Sequence, residues 1–162
     1  MAESATKQLK QSIESAETLY HRLVLLVGSS GSGKTQALRE FAQDAGSSVV
    51  NVNLALSGEL LELTAKQRSL RLPGIFDQIL EMPQDSSAAQ GLVVLDNTEI
   101  LFDTALKQDP LRLLQGVSRN RSVVASWNGA LVGGKLVYAE PGHPEFRSYD
   151  ALDLIIVSME EG

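Results

Sequence analysis

The chain has 162 residues, no cysteine, two histidines (His21 and His143) and a net charge of −6, with 43% hydrophobic and 21% charged residues. That balance suits a soluble globular protein with a sizeable core, and it excludes extensive disorder, a disulfide framework, thiol catalysis and the usual zinc sites. The acidic total argues against a broad duplex-binding surface. With no apolar run of membrane-spanning length and no signal-peptide core, a cytoplasmic protein is expected.

Residues 3–20 carry Leu9, Ile13, Ala16 and Leu19 or Tyr20 at helical spacing between Lys, Gln and Glu, which predicts an amphipathic N-terminal helix within residues 1–21 that lies on the core. Leu23 to Val27 is an apolar, β-prone run suited to a buried strand. Gln36 to Ala42 places Ala37, Leu38, Phe41 and Ala42 on one helical face, and Gly46 is a natural end to that helix. Ser48 to Leu54 predicts a second strand. Ser57 can cap a helix containing Leu60, Leu61 and Leu63, and Pro73 can begin another with Ile75, Phe76, Ile79 and Leu80.

Residues 83–91 predict a surface loop, and Gly91 to Asp96 a third buried strand that ends in an acid. Asp109-Pro110 is a cap and first-turn proline for a helix through Leu111, Leu113 and Leu114. Arg121 to Trp127 predicts a fourth strand, Gly133-Gly134 a turn, Lys135 to Ala139 a strand, Pro141 to Pro144 a loop and Leu152 to Val157 the last strand. Strands alternating with helices call for an α/β fold with a parallel sheet wrapped by helices. With no repeat and no linker, residues 1–162 are expected to form a single domain.

Gly28-Ser29-Ser30-Gly31-Ser32-Gly33-Lys34-Thr35 satisfies G-x-x-x-x-G-K-[ST], between the first strand and the helix that continues through Gln36. The glycines let successive N–H groups turn inward toward phosphate oxygens, and the start of the helix adds its positive dipole end. Residues 28–36 are therefore expected to hold a nucleoside triphosphate, ATP by expectation, with Lys34 on the β- and γ-phosphates and Thr35 on Mg²⁺. Four apolar residues followed by Asp96 fit a Walker B strand, whose carboxylate holds the metal with Thr35.

Hydrolysis also needs a group that orients or deprotonates water. The position after Asp96 is Asn97, which is no base at neutral pH, so Glu99 is the nearest candidate. Its alternative role is helix capping, with Asp96 as the N-cap three residues earlier. Asn128 follows the fourth strand. It is read either as a sensor of the γ-phosphate or lytic water or as a turn residue before Gly129. Arg119, Arg121 and Arg147 are candidates for an arginine supplied in trans by a homo-oligomer, or else surface residues. Arg68 and Arg71 fit a partner contact or simple exposure, His143 an ordinary loop position and Trp127 the core or an interface. Tyr20 and His21 are a further candidate for packing against adenine.

With Gly28–Thr35, Leu92–Glu99 and Ser126-Trp127-Asn128-Gly129 in this order, the chain resembles the core of AAA+-like P-loop ATPases. Through its length, the Leu95–Leu101 segment and the Ala125–Gly129 segment it resembles more narrowly, over nearly its whole length, the BrxF family of small P-loop proteins from type 3 BREX phage-defence systems. The resemblance implies a three-layer P-loop NTPase with a mostly parallel central sheet, an AAA+-like core lacking the C-terminal helical lid. It implies an ATP- and Mg²⁺-dependent accessory protein acting beside methyltransferase, helicase and other ATPase components. Lys34 and Thr35 match the Walker A positions, Asp96 the Walker B acid and Asn128 the first sensor position. Asn97 in place of an acid, and no chain beyond residue 162 for a lid bearing a second sensor arginine, lead to the expectation that hydrolysis is slow or needs partners. The rival expectations are a non-catalytic nucleotide-binding adapter and a small-molecule kinase. The kinase calls for an arginine-dense lid, where only the pairs Arg68/Arg71 and Arg119/Arg121 occur.

Overall fold

In the computed structural model, which describes residues 2–81 and 91–159, the strands β1 (Leu23–Gly28), β2 (Val49–Asn51), β3 (Leu92–Asp96), β4 (Ser122–Val132) and β7 (Ile155–Ser158) form a parallel sheet in the order β2-β3-β4-β1-β7. β4 is thus inserted between the strand that leads into the phosphate loop and the strand that ends in Asp96. Alternate side chains of each central strand feed two separate cores, as period-2 geometry requires. Leu23, Leu25 and Val27 of β1, with Val93, Leu95, Val123 and Ala125, pack under α3 (Val52–Leu60), α4 (Ala65–Leu80) and α5 (Pro110–Val117). Val24, Leu26, Val94, Val124 and Val157 pack under α1 (Ala2–Ala16) and α2 (Lys34–Asp44). The result is the three-layer α/β fold with a mostly parallel sheet. Its antiparallel part is an extension in which β4 pairs with β5 (Lys135–Tyr138) and β5 with β6 (Arg147–Asp150).

Several boundaries differ from expectation. α1 stops at Ala16, because its apolar stripe of Ala5, Leu9 and Ala16 is already covered. Leu19 and Tyr20 stay 46% and 66% exposed, in the turn into β1. The strand predicted over 48–54 ends at Asn51, whose side chain accepts a hydrogen bond from Leu54 N at 3.0 Å and starts α3 with Val52, Leu56 and Leu60 buried in one stripe. Ser57 therefore lies inside a helix and caps nothing.

Thr64 and Gln67 form a capping box that starts α4, and Pro73 falls in its interior. Proline has no N–H for the carbonyl four residues back. Here the Gln108 side-chain amide donates to Ser69 O at 2.7 Å and takes the place of the missing donor. The loop predicted over 83–91 lies, apart from Gly91, outside the described residues. Asn128-Gly129 is no turn: β4 runs on to Val132, and the chain reverses at Gly133-Gly134, at φ 57° and 80°. β6, with Arg147 and Tyr149 half-buried and Ser148 and Asp150 exposed, adds a strand that the sequence pattern does not expose. The last strand starts at Ile155 because Leu152 is 84% exposed.

Candidate functional site

A parallel sheet brings the C-terminal ends of its strands to one edge, which is where open α/β folds bind ligands. At that edge β1 ends in Gly28, β3 ends in Asp96, and the pairing of β1 with β4 sets Asn128 beside Gly28. Residues separated by up to one hundred positions in the chain are thereby gathered around the loop.

The loop takes its shape from backbone that residues with a Cβ rarely adopt. Gly31 and Gly33 sit at φ 83° and 98°, and Gly33 is the N-cap of α2. Lys34 is only 6% exposed. Its Nζ donates to Gly28 O at 2.9 Å and to Ser29 O at 2.8 Å, so the ammonium lies inside the ring of the loop. Thr35 Oγ1 donates to Asp96 Oδ2 at 2.7 Å, and Asp96 is itself buried. Ser32 Oγ is buried without a hydrogen-bond partner. A cleft of about 420 Å³ opens over these groups and also reaches Ser30, Gln36, Asn97, Glu99 and Asn128.

The far wall is built by an unusual turn. Asn97 adopts the left-handed conformation, φ 53° and ψ 55°, before a short 3₁₀ helix over Thr98–Phe102. Asn97 O accepts from Asn53 N at 3.0 Å, which ties the turn to α3. Thr98 Oγ1 donates to Ser126 O at 2.8 Å, which ties it to β4. Immediately after these anchors Glu99 accepts a hydrogen bond from Asn128 Nδ2. The capping alternative for Glu99 does not hold, because Asn97 is the residue at the helix start and the Asp96 carboxylate is taken up by Thr35.

The arginines fare unevenly. Arg121 is 8% exposed, donates to Val117 O at 3.0 Å and pairs with Asp77 at 3.1 Å, so it is a structural cation and unsuited to a role in trans. Arg119 is exposed and lies 4.8 Å from the Tyr20 ring centroid. Arg147 donates to Gln108 O at 2.8 Å on the half-buried β6. Tyr20 and His21 pack edge to face before the start of β1, which runs for about 17 Å of extended chain to Gly28. They stand at the opposite sheet edge from the phosphate loop, which removes them as an adenine platform.

Arg68 donates to Leu61 O and Leu63 O beyond the end of α3. His143 Nδ1 accepts from Glu145 N within its loop, and Trp127 is fully buried. Sequence reasoning missed Arg39, which lines the cleft. Its position four residues after Thr35 places it on the same helical face, and that spacing was a usable signal.

Also unforeseen is a second cavity of about 810 Å³ between the β4–β5 hairpin and the loop after Tyr138. It is walled by Ala130, Val137, Pro141 and Phe146 and shares Ser29, Ser30 and Asn128 with the neighbourhood of the loop. Tyr138 closes one side, stacked on Phe102 with centroids 3.5 Å apart. Its hydroxyl pKa is pushed up to about 12, first by burial and then by the charges of Glu145 and Glu99. Among the described residues no cluster of three or more His, Cys, Asp or Glu is placed to hold a metal ion, and no helix is long and apolar enough to cross a membrane.

No protein-family model matches the chain. No curated protein matches it either. Among solved structures it is similar to C. elegans PCH-2, at 19% identity and a TM-score of 0.46, over 97% of this chain and 41% of that one. The chain spans about two fifths of that protein's length, and a likeness at this level says nothing about activity.

Proposed function

We propose that this protein is an ATPase that binds Mg²⁺-ATP across residues 28–36 and cleaves the terminal phosphoanhydride. The observation that carries the reading is the convergence of five side chains at one cleft: Lys34 inside the loop, Thr35 on Asp96 at 2.7 Å, and Glu99 on Asn128 opposite them. Gly28 to Gln36 supply the phosphate-binding backbone, with Lys34 on the β- and γ-phosphates. The Thr35 hydroxyl and the Asp96 carboxylate are adjacent hard oxygen donors, the kind of set that Mg²⁺ accepts when phosphate and water complete its shell. When bound there, the ion neutralises charge on the β- and γ-phosphate oxygens. Glu99 takes a proton from, or orients, the attacking water, and Asn128 holds Glu99 and faces the γ-phosphate.

The finer reading is a cytoplasmic, single-domain accessory ATPase of a multi-protein BREX antiphage system. Its support is the resemblance carried by Leu95–Leu101 and Ala125–Gly129. For an arginine supplied in trans within a homo-oligomer, Arg119 and Arg147 remain as candidates. The adapter alternative rests on Asn97, and the placement of Glu99 against Asn128 speaks for a catalytic site instead. One observation favours a second reading: the cavity beside Ser29, Ser30 and Asn128 has room for a phosphoryl acceptor, as a small-molecule kinase needs.

Phosphate release from Mg²⁺-ATP and Mg²⁺-GTP, with and without the defence partners, tests both readings. Wild type should turn over, Lys34→Ala and Glu99→Gln should each lose about a hundredfold or more, and Lys34→Ala should also weaken binding. Turnover indifferent to Lys34→Ala refutes the ATPase reading. Nucleotide consumption that depends on an added metabolite supports the kinase.

A further inference from the structure

Asn97 stands where an acid is expected, and its backbone gives that substitution a purpose. We infer that Asn97 is a positioning residue: its left-handed conformation turns the chain at the end of β3 so that Glu99, two residues on, reaches Asn128 and supplies the carboxylate at the cleft. This inference rests on the ATPase reading for its consequence and on the geometry for its substance.

The turn is defined from both sides. Asn97 O is held by Asn53 N and Thr98 Oγ1 is held by Ser126 O, so the peptide between them has little freedom. Asn97 is one of three described non-glycine residues at positive φ, and it is the one that lines the cleft. Asparagine tolerates this conformation and glycine adopts it freely. Alanine and glutamate take it only at a steric cost that the surrounding structure must meet, as at Ala139 and Lys107, and β-branched residues are the strongest outliers there. A glutamate at position 97 would incur that cost, bias the backbone toward the extended region and carry Glu99 away from Asn128. The site therefore uses the later carboxylate, and Asn is a polar residue that lets the chain present it.

Two readouts test this. The side-chain amide signal of Asn128 in ¹⁵N–¹H spectra reports the contact with Glu99 without any reference to turnover. Steady-state kinetics with Mg²⁺-ATP report the consequence. Asn97→Gly should keep the Asn128 signal and the wild-type kcat. Asn97→Val should move the signal to the position seen in Glu99→Ala and lower kcat about five- to thirtyfold with KM unchanged. Asn97→Glu, the substitution that restores the expected acid, should lower turnover as well.

An Asn97→Val variant that is folded and keeps the wild-type Asn128 signal overturns the inference, as does an Asn97→Glu variant with raised turnover. If wild type binds nucleotide yet never hydrolyses it, the ATPase reading fails alone. The Asn128 signal then still decides whether Asn97 positions Glu99.

Discussion

Gly129 links the site to the scaffold, and replacing it with alanine is the sharpest test of the β4 geometry. A Cβ at that position would stand far inside contact distance of Val137 O and 2.9 Å from Trp127 Nε1, the two atoms joined by a 3.1 Å hydrogen bond. Neither can retreat cheaply. Val137 is paired to Ala130 in the hairpin, and Trp127 is fully buried with Phe102, Tyr138 and Tyr149 around it. Overpacking of this kind costs about 1–3 kcal/mol. Breaking the bond and leaving the indole N–H unpaired adds about 1–3 kcal/mol. The combined loss of about 2–6 kcal/mol corresponds to a fall of about 4–24 °C in Tm for a chain of this length.

Thermal and urea unfolding followed by circular dichroism measure it. Gly116 in α5 is the control, because a Cβ there meets nothing within 4 Å. Gly116→Ala should stabilise by about 0.5–1 kcal/mol. Stability of Gly129→Ala within about 1 kcal/mol of wild type would refute the close approach of β4 to β5 on which the placement of Asn128 depends.

Gln108→Ala should cost about 1 kcal/mol in wild type by stranding Ser69 O, and distinctly less in a Pro73→Ala background, where the backbone N–H gained at that position restores the helical donor. Equal costs in a double-mutant unfolding cycle would remove the compensation. Arg121→Leu should destabilise by about 1.5–3 kcal/mol through the lost bonds to Val117 O and Asp77 while kcat per folded molecule stays unchanged, and a selective loss of kcat would return Arg121 to the list of catalytic candidates. Tyr138 makes stability fall in alkali. With its pKa raised from 10 to about 12 by burial, the folded chain keeps a proton that the unfolded chain has released, so the contribution is full below pH 10 and is lost as pH rises to 12. Urea midpoints from pH 9 to 12 should drop less steeply for Tyr138→Phe than for wild type, and equal slopes would contradict the assignment.

The parts of the molecule legible in the sequence are those in which local pattern and global fold agree. Leu23–Val27 and Leu92–Leu95 are apolar throughout because their strands are buried on both faces. The glycines and Lys34-Thr35 mark out the loop between β1 and α2, and Gly31 and Gly33 take the positive φ that the motif calls for. Where tertiary contacts decide, pattern misleads. Val50, Val52 and Leu54 alternate like a strand, yet the Asn51 cap and the buried Val52, Leu56 and Leu60 make a helix. Pro73 reads as a helix start because its compensating partner, Gln108, lies 35 positions away. Asn128-Gly129 reads as a turn because nothing local shows that Gly129 is needed for its closeness to Val137. Arg121 reads as a free cation until Asp77 is seen beside it. At the site itself Asp96 could be placed by the end of its strand. Asn128 lies inside a β4 that is longer than the pattern shows and is set by its pairing with Gly28. The geometry of Glu99 depends on a single left-handed residue that spacing alone does not expose.

The most direct test is calorimetric titration of the protein with Mg²⁺-ATP, in parallel with Lys34→Ala and Asp96→Ala. One saturable site is predicted for wild type, weakened at least about tenfold by Lys34→Ala, because that change removes the cation beneath the β- and γ-phosphates. For Asp96→Ala the gain from adding Mg²⁺ should shrink while the metal-free affinity for ATP persists. Wild type that shows no heat of binding, or a Lys34→Ala variant that binds as tightly as wild type, would contradict a triphosphate seated over Gly28–Thr35.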